Sequence, residues 1–322
     1  LVRPSFVLGG RGMEIVYDDQ ALAGFISRAT EITPGHPVLV DRFLDNAIEI
    51  DVDALFDGEK LFLGGVMEHI EEAGIHPGDS ACVLPAITIS PNQLKEIKIA
   101  TEKIARGVGV RGLINIQYAI ASGKLYVLEA NPRASRTVPF VSKSIGIPLA
   151  KAAARIAVGE KIEDLQAEGL LPKADIKPRA ISVKEVVLPW NRFRRIDGRG
   201  VDSTLGPEMR STGEVMGIAP TFGESYAKSQ IAAFGPLPKN GTVFISLSDK
   251  DKEAGLLAAR ELRELGFTLI ATSGTAAALS GQGIETITIR KHSEGTGPLG
   301  ERTIVELMVA DQIDLVINTP VG

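Results

Sequence analysis

The sequence predicts a mixed fold, α/β in one part and α+β in the other, and three observations support this. From Val243 to Ile317, strand-like and helix-like segments alternate, which is typical of a parallel sheet flanked by helices. In Leu113–Arg136, two runs of alternating polar and apolar residues end at Asn131-Pro132, which predicts a hairpin followed by a turn. The chain has 322 residues, of which 44% are hydrophobic, and this length favours about two domains with separate cores.

Composition excludes several classes of function. The net charge is −5, and the 35 basic and 40 acidic residues are intermixed, so neither a nucleic-acid surface nor a membrane surface is expected. Cys82 is the single cysteine, which excludes an internal disulfide and fits a reducing, cytoplasmic location. No apolar run reaches the length of a membrane span. Because strand-like residues stand at both ends of the chain, we expect a fragment of a longer protein.

The predicted elements before the hairpin follow in order. A glycine-rich loop at 7–13 is typical either of phosphate contact or of an ordinary turn. We then predict a helix at 20–30, a short buried strand at 38–40, a strand at 47–54, its partner at 60–67, and a loop at 68–79 that carries His69 and His76. The spacing of these histidines does not favour zinc. Ser90-Pro91 predicts the start of a helix that ends at Gly107.

Polar side chains concentrate on three of the predicted strands. Glu49, Asp51 and Asp53 share one face of the strand at 47–54, and such a face is solvated unless a cationic or hydroxyl-bearing ligand covers it. Gln117 lies on the polar face of the first hairpin strand. In the second strand, regular alternation gives Glu129 and Asn131 the same face as Leu125 and Val127.

Gln117, Glu129 and Asn131 lie together only if the hairpin contains an odd-numbered loop, such as 122–124, or a bulge. Their amide and carboxylate oxygens suit Mg²⁺ shared with phosphate oxygens better than zinc or a redox metal. The forked guanidinium groups of Arg133 and Arg136 suit the charge of a transferring phosphoryl group. A polar edge hairpin with solvated arginines is the alternative for this segment taken alone.

Beyond the hairpin, the pattern predicts helix 141–158 with interruptions at Gly146 and Pro148, connecting structure at 160–180, and a strand at 182–188. An exposed loop at 192–200 and a helix at 222–234 follow. The segment 235–241 is rich in glycine and proline and marks the best domain boundary.

In the last part, polar residues stand at or just past the ends of different strands: Ser246, Thr272, Lys291 and Asn318. Open α/β sheets bind ligands at the carboxyl ends of their strands. Residues 272–275 also open directly into a helix, so their amides and hydroxyls favour a phosphate site with Lys291 as the counter-charge. Four unrelated loop residues are the alternative interpretation.

Long, specific motifs, such as VRPSFVLGGRGMEIVYDD, LEANPRASRTVPFVSKSIGIPLAK and LGPEMRSTGEVMG, resemble the carboxy-terminal half of the large subunit of carbamoyl-phosphate synthetase over essentially the whole chain. The resemblance implies a partial ATP-grasp unit followed by a Rossmann-like, methylglyoxal-synthase-like domain. It assigns 1–160 to the ATP-grasp part, 161–240 to the remainder of the synthetase unit and the linker, and 241–322 to the truncated allosteric domain.

The same resemblance implies roles for individual residues. ATP would be contacted by Arg3, Arg42, Leu44, Glu49, Gly74, Ile75 and His76, with Gln117 and Glu129 also at the nucleotide. Pro77 stands where many members carry a small hydroxyl residue, which leaves only a backbone contact there. Gln117, Glu129 and Asn131 would hold Mg²⁺ or Mn²⁺, and Arg133 and Arg136 would act in catalysis. The implied step is attack of a carbamate oxygen on the γ-phosphorus of ATP, which yields carbamoyl phosphate for pyrimidine and arginine biosynthesis.

The resemblance also implies regulation and partners. UMP or IMP would bind through Ser246, Lys252, Thr272, Thr275, Lys291 and Asn318, although Pro320 replaces a threonine of some bacterial members. Gly300-Glu301 lacks the Gly-Asp pattern of methylglyoxal synthases, which indicates a sensor. The partners would be a glutaminase small subunit and the amino-terminal synthetase half. The alternatives are a fragment that only binds metal-nucleotide and effector, and another ATP-grasp ligase such as a biotin carboxylase.

Overall fold

The computed structural model describes residues 1–5, 12–32, 35–44, 46–174, 176, 178–192, 201–298 and 300–319. Most of the predicted glycine-rich loop, most of the predicted loop at 192–200, and Pro320 lie outside the described residues. The chain divides into two compact units, Leu1–Gly235 and Pro236–Gly322. Among the described residues, no helix combines the length and the apolar character needed to cross a membrane.

The first unit is built on a seven-stranded antiparallel sheet, whose strands are β3 (Ile48–Phe56), β4 (Leu61–His69), β5 (Cys82–Leu84), β6 (Gly112–Ala121), β7 (Lys124–Asn131), β8 (Ile181–Val187) and β9 (Gly213–Ala219). They pair in the order β7-β6-β3-β4-β5-β8-β9. A separate two-stranded sheet pairs β1 (Val2–Arg3) with β2 (Leu39–Val40). The helices are α1 (Asp19–Ile32), α2 (Pro91–Val108), α3 (Val138–Ile145), α4 (Leu149–Ala157), α5 (Ile162–Ala167) and α6 (Phe222–Phe234).

Different elements pack against the two faces of the central strands. Ile50, Val52, Ile114, Ile116 and Tyr118 point to one face, where they form a buried cluster with residues of α2. On the other face, one end of the strands packs against α3, α4 and α5 through apolar residues that include Leu55 and Leu113. The remaining stretch of that second face carries the polar side chains of β3 and β6.

The hairpin achieves its pairing through a bulge. Tyr118 pairs with Val127, whereas Gln117 pairs with Glu129, so Leu128 is an extra residue in β7. The turn holds two residues, Ser122 and Gly123, both with positive φ, and not the three-residue loop suggested by the sequence. Of the two predicted ways to bring these residues together, an odd-numbered loop or a bulge, the structure contains the bulge.

The bulge also corrects the predicted faces of β7. Leu125 and Val127 share a face with Ile120 and Tyr118, while Glu129 turns to the opposite face with Gln117. The expectation that all four alternating residues of β7 share one face is wrong, because the extra Leu128 shifts the alternation by one residue.

Several predicted boundaries are also wrong. Helix α2 starts at Pro91 behind the Ser90 cap as predicted, but it continues past Gly107 to Val108 and is capped by Gly109, which adopts φ 74°. The connecting segment at 160–180 contains α5. The strand at 38–40 is exposed at Leu39 and Val40 because β1 is its single neighbouring strand among the described residues. His69 ends β4 and does not belong to the following loop.

The second unit contains the predicted parallel sheet. Its strands β10 (Thr242–Ser246), β11 (Thr268–Thr272), β12 (Ile287–Ile289) and β13 (Leu315–Asn318) run parallel in the order β12-β11-β10-β13. The helices between them are α7 (Lys252–Glu264), α8 (Ser273–Ser280) and α9 (Ile304–Val309). Because the chain steps to one side of β10 and then returns to the other, the sheet has a topological switch point between β10 and β13.

Candidate functional site

The centre of the candidate site is a row of polar side chains across β7, β6 and β3. Glu129 pairs with Gln117, and Gln117 pairs with Asp51. One step along the strands, Asn131 pairs with Asn115, which pairs with Asp53. Since paired residues of antiparallel strands point to the same face, the three predicted metal ligands Gln117, Glu129 and Asn131 lie side by side. Glu129 is exposed, and the two amides are half-buried.

These residues suit a hard cation. Among the described residues, no group of three or more His, Cys, Asp or Glu side chains is placed to hold a metal ion. A cation at this face would therefore depend on amide oxygens together with the carboxylate of Glu129. Mg²⁺ accepts such a mixed set of oxygens and retains water and phosphate oxygens as further ligands, so the residues present fit it.

The carboxylates of β3 are buried, which corrects the expectation of a solvated face. Glu49, Asp51 and Asp53 are 3%, 1% and 0% exposed. The Asn115 side-chain amide donates to Asp51 Oδ1 at 2.9 Å and to Asp53 Oδ1 at 3.0 Å. Because buried carboxylates are costly without donors, this amide stabilises both of them.

Asp53 accepts two further hydrogen bonds from the segment that follows β7. Ser135 Oγ donates to Asp53 Oδ1 at 2.7 Å, and Thr137 Oγ1 donates to Asp53 Oδ2 at 2.6 Å. Burial nevertheless raises the pKa of Asp53 to about 6, and the charge of Asp51 adds to this rise.

His69 lies between two of these carboxylates. Its Nε2 is 3.5 Å from Asp51 Oδ2, its Nδ1 is 4.0 Å from Glu49 Oε1, and neither nitrogen makes a hydrogen bond of good geometry among the described residues. Burial lowers the pKa of His69, but neighbouring Cys82 and Asp51 together raise it well above its ordinary value. This shift favours the protonated imidazole, whose charge would offset the negative charge of Asp51 and Glu49.

The predicted nucleotide residues occupy three places. Arg42 and Leu44 line a pocket of about 170 Å³ together with Phe43, Ala121, Ser122, Lys124 and Tyr126. Glu49 Oε2 accepts a hydrogen bond from the Gly74 amide at 3.1 Å, which joins β3 to the loop that carries Ile75, His76 and Pro77. Arg3 is exposed on the two-stranded sheet and does not belong to the seven-stranded sheet.

The two predicted catalytic arginines are exposed on the segment after β7. The Arg133 amide donates to Asn131 O at 2.8 Å, which forms a tight turn at the end of the strand. The Arg136 guanidinium contacts the sulfur of Met209. Burial lowers the pKa of His76, and the charge of Arg136 lowers it further, whereas Asp79, Asp51 and Glu129 oppose this shift. The charges of Arg136 and Glu129 thus act on His76 in opposite directions.

A loop before β9 packs onto the loop of His76. The His76 amide donates to Gly206 O at 2.8 Å, and Asp79 accepts from the amides of Arg210 and Ser211 at 2.7 and 2.8 Å. Lys184 on β8 is 1% exposed, and its ammonium donates to Pro77 O at 3.1 Å and Ser80 O at 2.8 Å. Charge-assisted bonds therefore hold both sides of this loop.

In the second unit, four of the predicted polar residues, Ser246, Thr272, Thr275 and Asn318, lie at the ends of β10, β11 and β13. Ser246 pairs with Asn318 at the ends of β10 and β13, and Ser246 Oγ lies 3.4 Å from Thr272 Oγ1. Thr275 Oγ1 accepts from the Leu247 amide at 2.9 Å, which places the first turn of α8 against the end of β10. Lys252 lies close to this turn. Its Nζ is 3.8 Å from the position that a Cβ atom would take on Gly274. Lys291 is exposed, two residues past the end of β12.

Sequence reasoning missed the supporting residues Asn115, Ser135, Thr137, Lys184 and Met209 as parts of the site. The alternation of β6 gave a signal for Asn115, which shares a face with Gln117. For Ser135 and Thr137 the signal was their place beside Arg133 and Arg136. For Lys184 and Met209 no local signal exists, because their partners lie more than 70 residues away.

Comparisons with known proteins agree with this architecture. The family model of the carbamoyl-phosphate synthase L chain, ATP binding domain, matches residues 1–165, and the MGS-like domain model matches residues 255–322. The carbamoyl phosphate synthase large chains of Streptomyces coelicolor and Mycobacterium bovis are 64% and 56% identical to this chain. Both alignments cover the whole chain but 30% and 29% of the relatives, so the chain spans less than a third of their length.

Two solved structures share the fold at low identity. The biotin carboxylase domain of 2-oxoglutarate carboxylase from Hydrogenobacter thermophilus matches 68% of this chain and 52% of its own, with a TM-score of 0.50 and 18% identity. Pyruvate carboxylase from Rhizobium etli matches 72% of this chain and 23% of its own, with a TM-score of 0.55 and 19% identity. The predicted fold class, an ATP-grasp part followed by a parallel-sheet domain, is confirmed.

The much higher identity to the synthase large chains disfavours the biotin carboxylase alternative. With residues 1–165 of 322 matched by its model, the chain belongs to the family of the carbamoyl-phosphate synthase L chain, ATP binding domain, and it carries an MGS-like domain behind that part.

Proposed function

We propose that this chain is the portion of a glutamine-dependent carbamoyl-phosphate synthetase large subunit that phosphorylates carbamate with ATP. The supporting observation is that Gln117, Glu129 and Asn131 lie side by side on one face of the sheet and are followed directly by Arg133 and Arg136. In this proposal residues 1–160 and 161–240 belong to the synthetase unit, and residues 241–322 form the regulatory domain. Carbamoyl phosphate would serve pyrimidine and arginine biosynthesis in the cytoplasm.

Each group has a role in binding or charge neutralisation. Arg42 and Leu44 would contact the base, Glu49 the ribose, and the loop of Gly74, Ile75, His76 and Pro77 would close over the nucleotide. Arg3 would approach it from the two-stranded sheet. Gln117, Glu129 and Asn131 would hold Mg²⁺, or alternatively Mn²⁺, which when bound neutralises phosphate charge.

The reaction needs no covalent protein intermediate. A carbamate oxygen would attack the γ-phosphorus of ATP while the bond to the β-phosphate oxygen breaks, leaving carbamoyl phosphate and ADP. Arg133 and Arg136 would orient the carbamate and meet the charge on the transferring group, so catalysis would rest on positioning and electrostatics. The carbamate would come from the amino-terminal half, supplied with ammonia by a glutaminase small subunit.

The second unit is proposed as a sensor of a nucleoside monophosphate such as UMP or IMP. The phosphate would lie at the first turn of α8, where the Thr272 and Thr275 hydroxyls and free amides favour an anion. Lys252 and Lys291 would supply positive charge, and Ser246 and Asn318 would contact the remainder of the ligand. The support is that Ser246 pairs with Asn318 and lies beside Thr272, and that Thr275 contacts the residue after β10.

The catalytic proposal is tested by Glu129→Gln in the full-length large subunit with its partner. The assay is ATP formation from ADP and carbamoyl phosphate. We expect activity to be abolished with folding unchanged, because a neutral amide replaces the one carboxylate among Gln117, Glu129 and Asn131. Glu214→Gln, an exposed carboxylate on the opposite edge strand β9, is the matched control.

Retention of activity within about tenfold, a barrier change of only ~1.4 kcal/mol, would remove Glu129 from the metal site. The rival hypothesis, a fragment that only binds metal-nucleotide and effector, is tested with the isolated chain. It predicts that Mg-ADP binds to the chain and that no ATP is formed, whereas ATP formation by the isolated chain would contradict it.

A further inference from the structure

The buried carboxylate of Asp53 makes an unusual set of contacts. Its Oδ1 accepts from the Asn115 amide at 3.0 Å and from Ser135 Oγ at 2.7 Å, while its Oδ2 accepts from Thr137 Oγ1 at 2.6 Å. Ser135 Oγ and Thr137 Oγ1 are also 2.8 Å apart. One side chain in the middle of the sheet thus joins the β6 strand to the segment that follows β7.

That segment carries both proposed catalytic arginines. Ser135 lies between Arg133 and Arg136, and Thr137 precedes α3, whose first residue Val138 is buried. Asn131 fixes one end of the segment by strand pairing, and Val138 fixes the other by packing. Between these ends, the bonds from Ser135 and Thr137 to Asp53 tie the segment to the sheet.

The hydrogen bonding of Thr137 indicates that its side chain holds the segment to Asp53 and does not cap α3. Thr137 stands at the N-cap of α3, where a threonine hydroxyl ordinarily accepts from a backbone amide of the first turn. In this structure it makes no capping bond and donates to Asp53 instead. A capping interaction is therefore absent while two hydroxyls converge on one carboxylate with no exposed surface.

We propose that Asp53 is a positioning residue that holds the 132–137 segment through Ser135 and Thr137 and so places Arg133 and Arg136 over the Gln117, Glu129 and Asn131 row. This inference rests on the proposed function. Asp53 itself touches neither substrate nor cation in this scheme, because Asn115 and the hydroxyls occupy its oxygens.

The test uses the full-length large subunit with its partner and measures ATP formation from ADP and carbamoyl phosphate. The variants are Ser135→Ala, Thr137→Val, the double variant and Asp53→Asn. We expect the double variant to lower kcat about 10- to 100-fold, because displacement of a positioning group by about 1 Å has an effect of this size. ADP affinity should change less than about threefold, since the nucleotide residues lie on other segments.

The matched control is Thr101→Val. Thr101 Oγ1 lies 2.9 Å from Tyr118 Oη, and both groups are buried on the opposite face of the same sheet. This variant also removes a buried hydroxyl contact, so its effect on the melting temperature should resemble that of Thr137→Val. Its kcat should equal that of the wild type.

A double-mutant cycle separates positioning from a general loss of stability. In a background of Arg133→Ala and Arg136→Ala, loss of Ser135 and Thr137 hydroxyls should lower kcat no further, because the groups they position are already gone. Full additivity, or an unchanged kcat in the Ser135 and Thr137 variants, would overturn the inference. If the arginine variants alone retain full activity, the proposed function fails instead.

Discussion

Asp79 allows a quantitative test of how the loop before β9 is held. Its side chain is fully buried and accepts from the Arg210 amide at 2.7 Å and the Ser211 amide at 2.8 Å. Each hydrogen bond to a charged group contributes about 1.5–3 kcal/mol. Because both bonds share one carboxylate, we expect Asp79→Ala to lower the free energy of unfolding of the first unit by about 3–5 kcal/mol.

Asp79→Asn should have a smaller effect. Its amide oxygen still accepts from one backbone amide, whereas its NH₂ group faces the other donor without an acceptor. We expect about half the loss seen for Asp79→Ala. Asp202→Asn is the matched control, because Asp202 is exposed and accepts from the Thr204 amide at 2.9 Å in the same loop.

Urea unfolding gives the free energies, and hydrogen exchange locates the change. In Asp79→Ala the amides of Arg210 and Ser211 should lose protection, while the strands of the sheet keep theirs. Activity should fall as well, because Met209 in this loop contacts Arg136. A stability change below about 1 kcal/mol with both amides still protected would refute this account of the loop.

Two further experiments concern titration and effector binding. Burial raises the pKa of Glu71 to about 7, and the charge of Glu185 adds to this rise. Protonated Glu71 therefore stabilises the fold at low pH, and this contribution is lost as the pH rises from the ordinary pKa of a glutamate towards 7. Glu71→Gln should therefore melt increasingly above the wild type between about pH 5 and about pH 8, and parallel melting curves would contradict the shift. Lys291→Ala should weaken UMP or IMP binding about ten- to a hundredfold in calorimetric titration, with Lys239→Ala as the exposed control. Equal affinities in Lys291→Ala and wild type would exclude this phosphate site.

Local patterns were sufficient to predict much of the fold. Ser90-Pro91 marks the start of α2, and Gly146 with Pro148 marks the break between α3 and α4, because caps and breakers act through nearby backbone. The alternation of strands and helices after the linker also predicted the parallel sheet, because a helix between two strands returns the chain in the same direction. The end of α2 was missed because Gly107 is tolerated within a helix, and Gly109, with its left-handed backbone, ends it.

The environment of the site was harder to predict. The burial of Asp53 depends on Ser135 and Thr137, which lie more than 80 residues further along the chain. Strand alternation identified the face of Asp53 but gave no information about what covers it. The faces of Glu129 and Asn131 depended on one extra residue, and a regular alternation rule gives the wrong side whenever a bulge intervenes.

The bulge at Leu128 divides β7 into two halves whose odd-numbered side chains face opposite sides of the sheet. Before it, Leu125 packs towards α2; after it, Glu129 and Asn131 face the polar row on the other side of the sheet. Because Leu128 is an extra residue, the positions that face the polar side of the sheet should shift from even-numbered before residue 128 to odd-numbered after it. In a substitution profile of this strand, Leu125 should prefer apolar groups, whereas Glu129 and Asn131 should prefer oxygen-bearing groups.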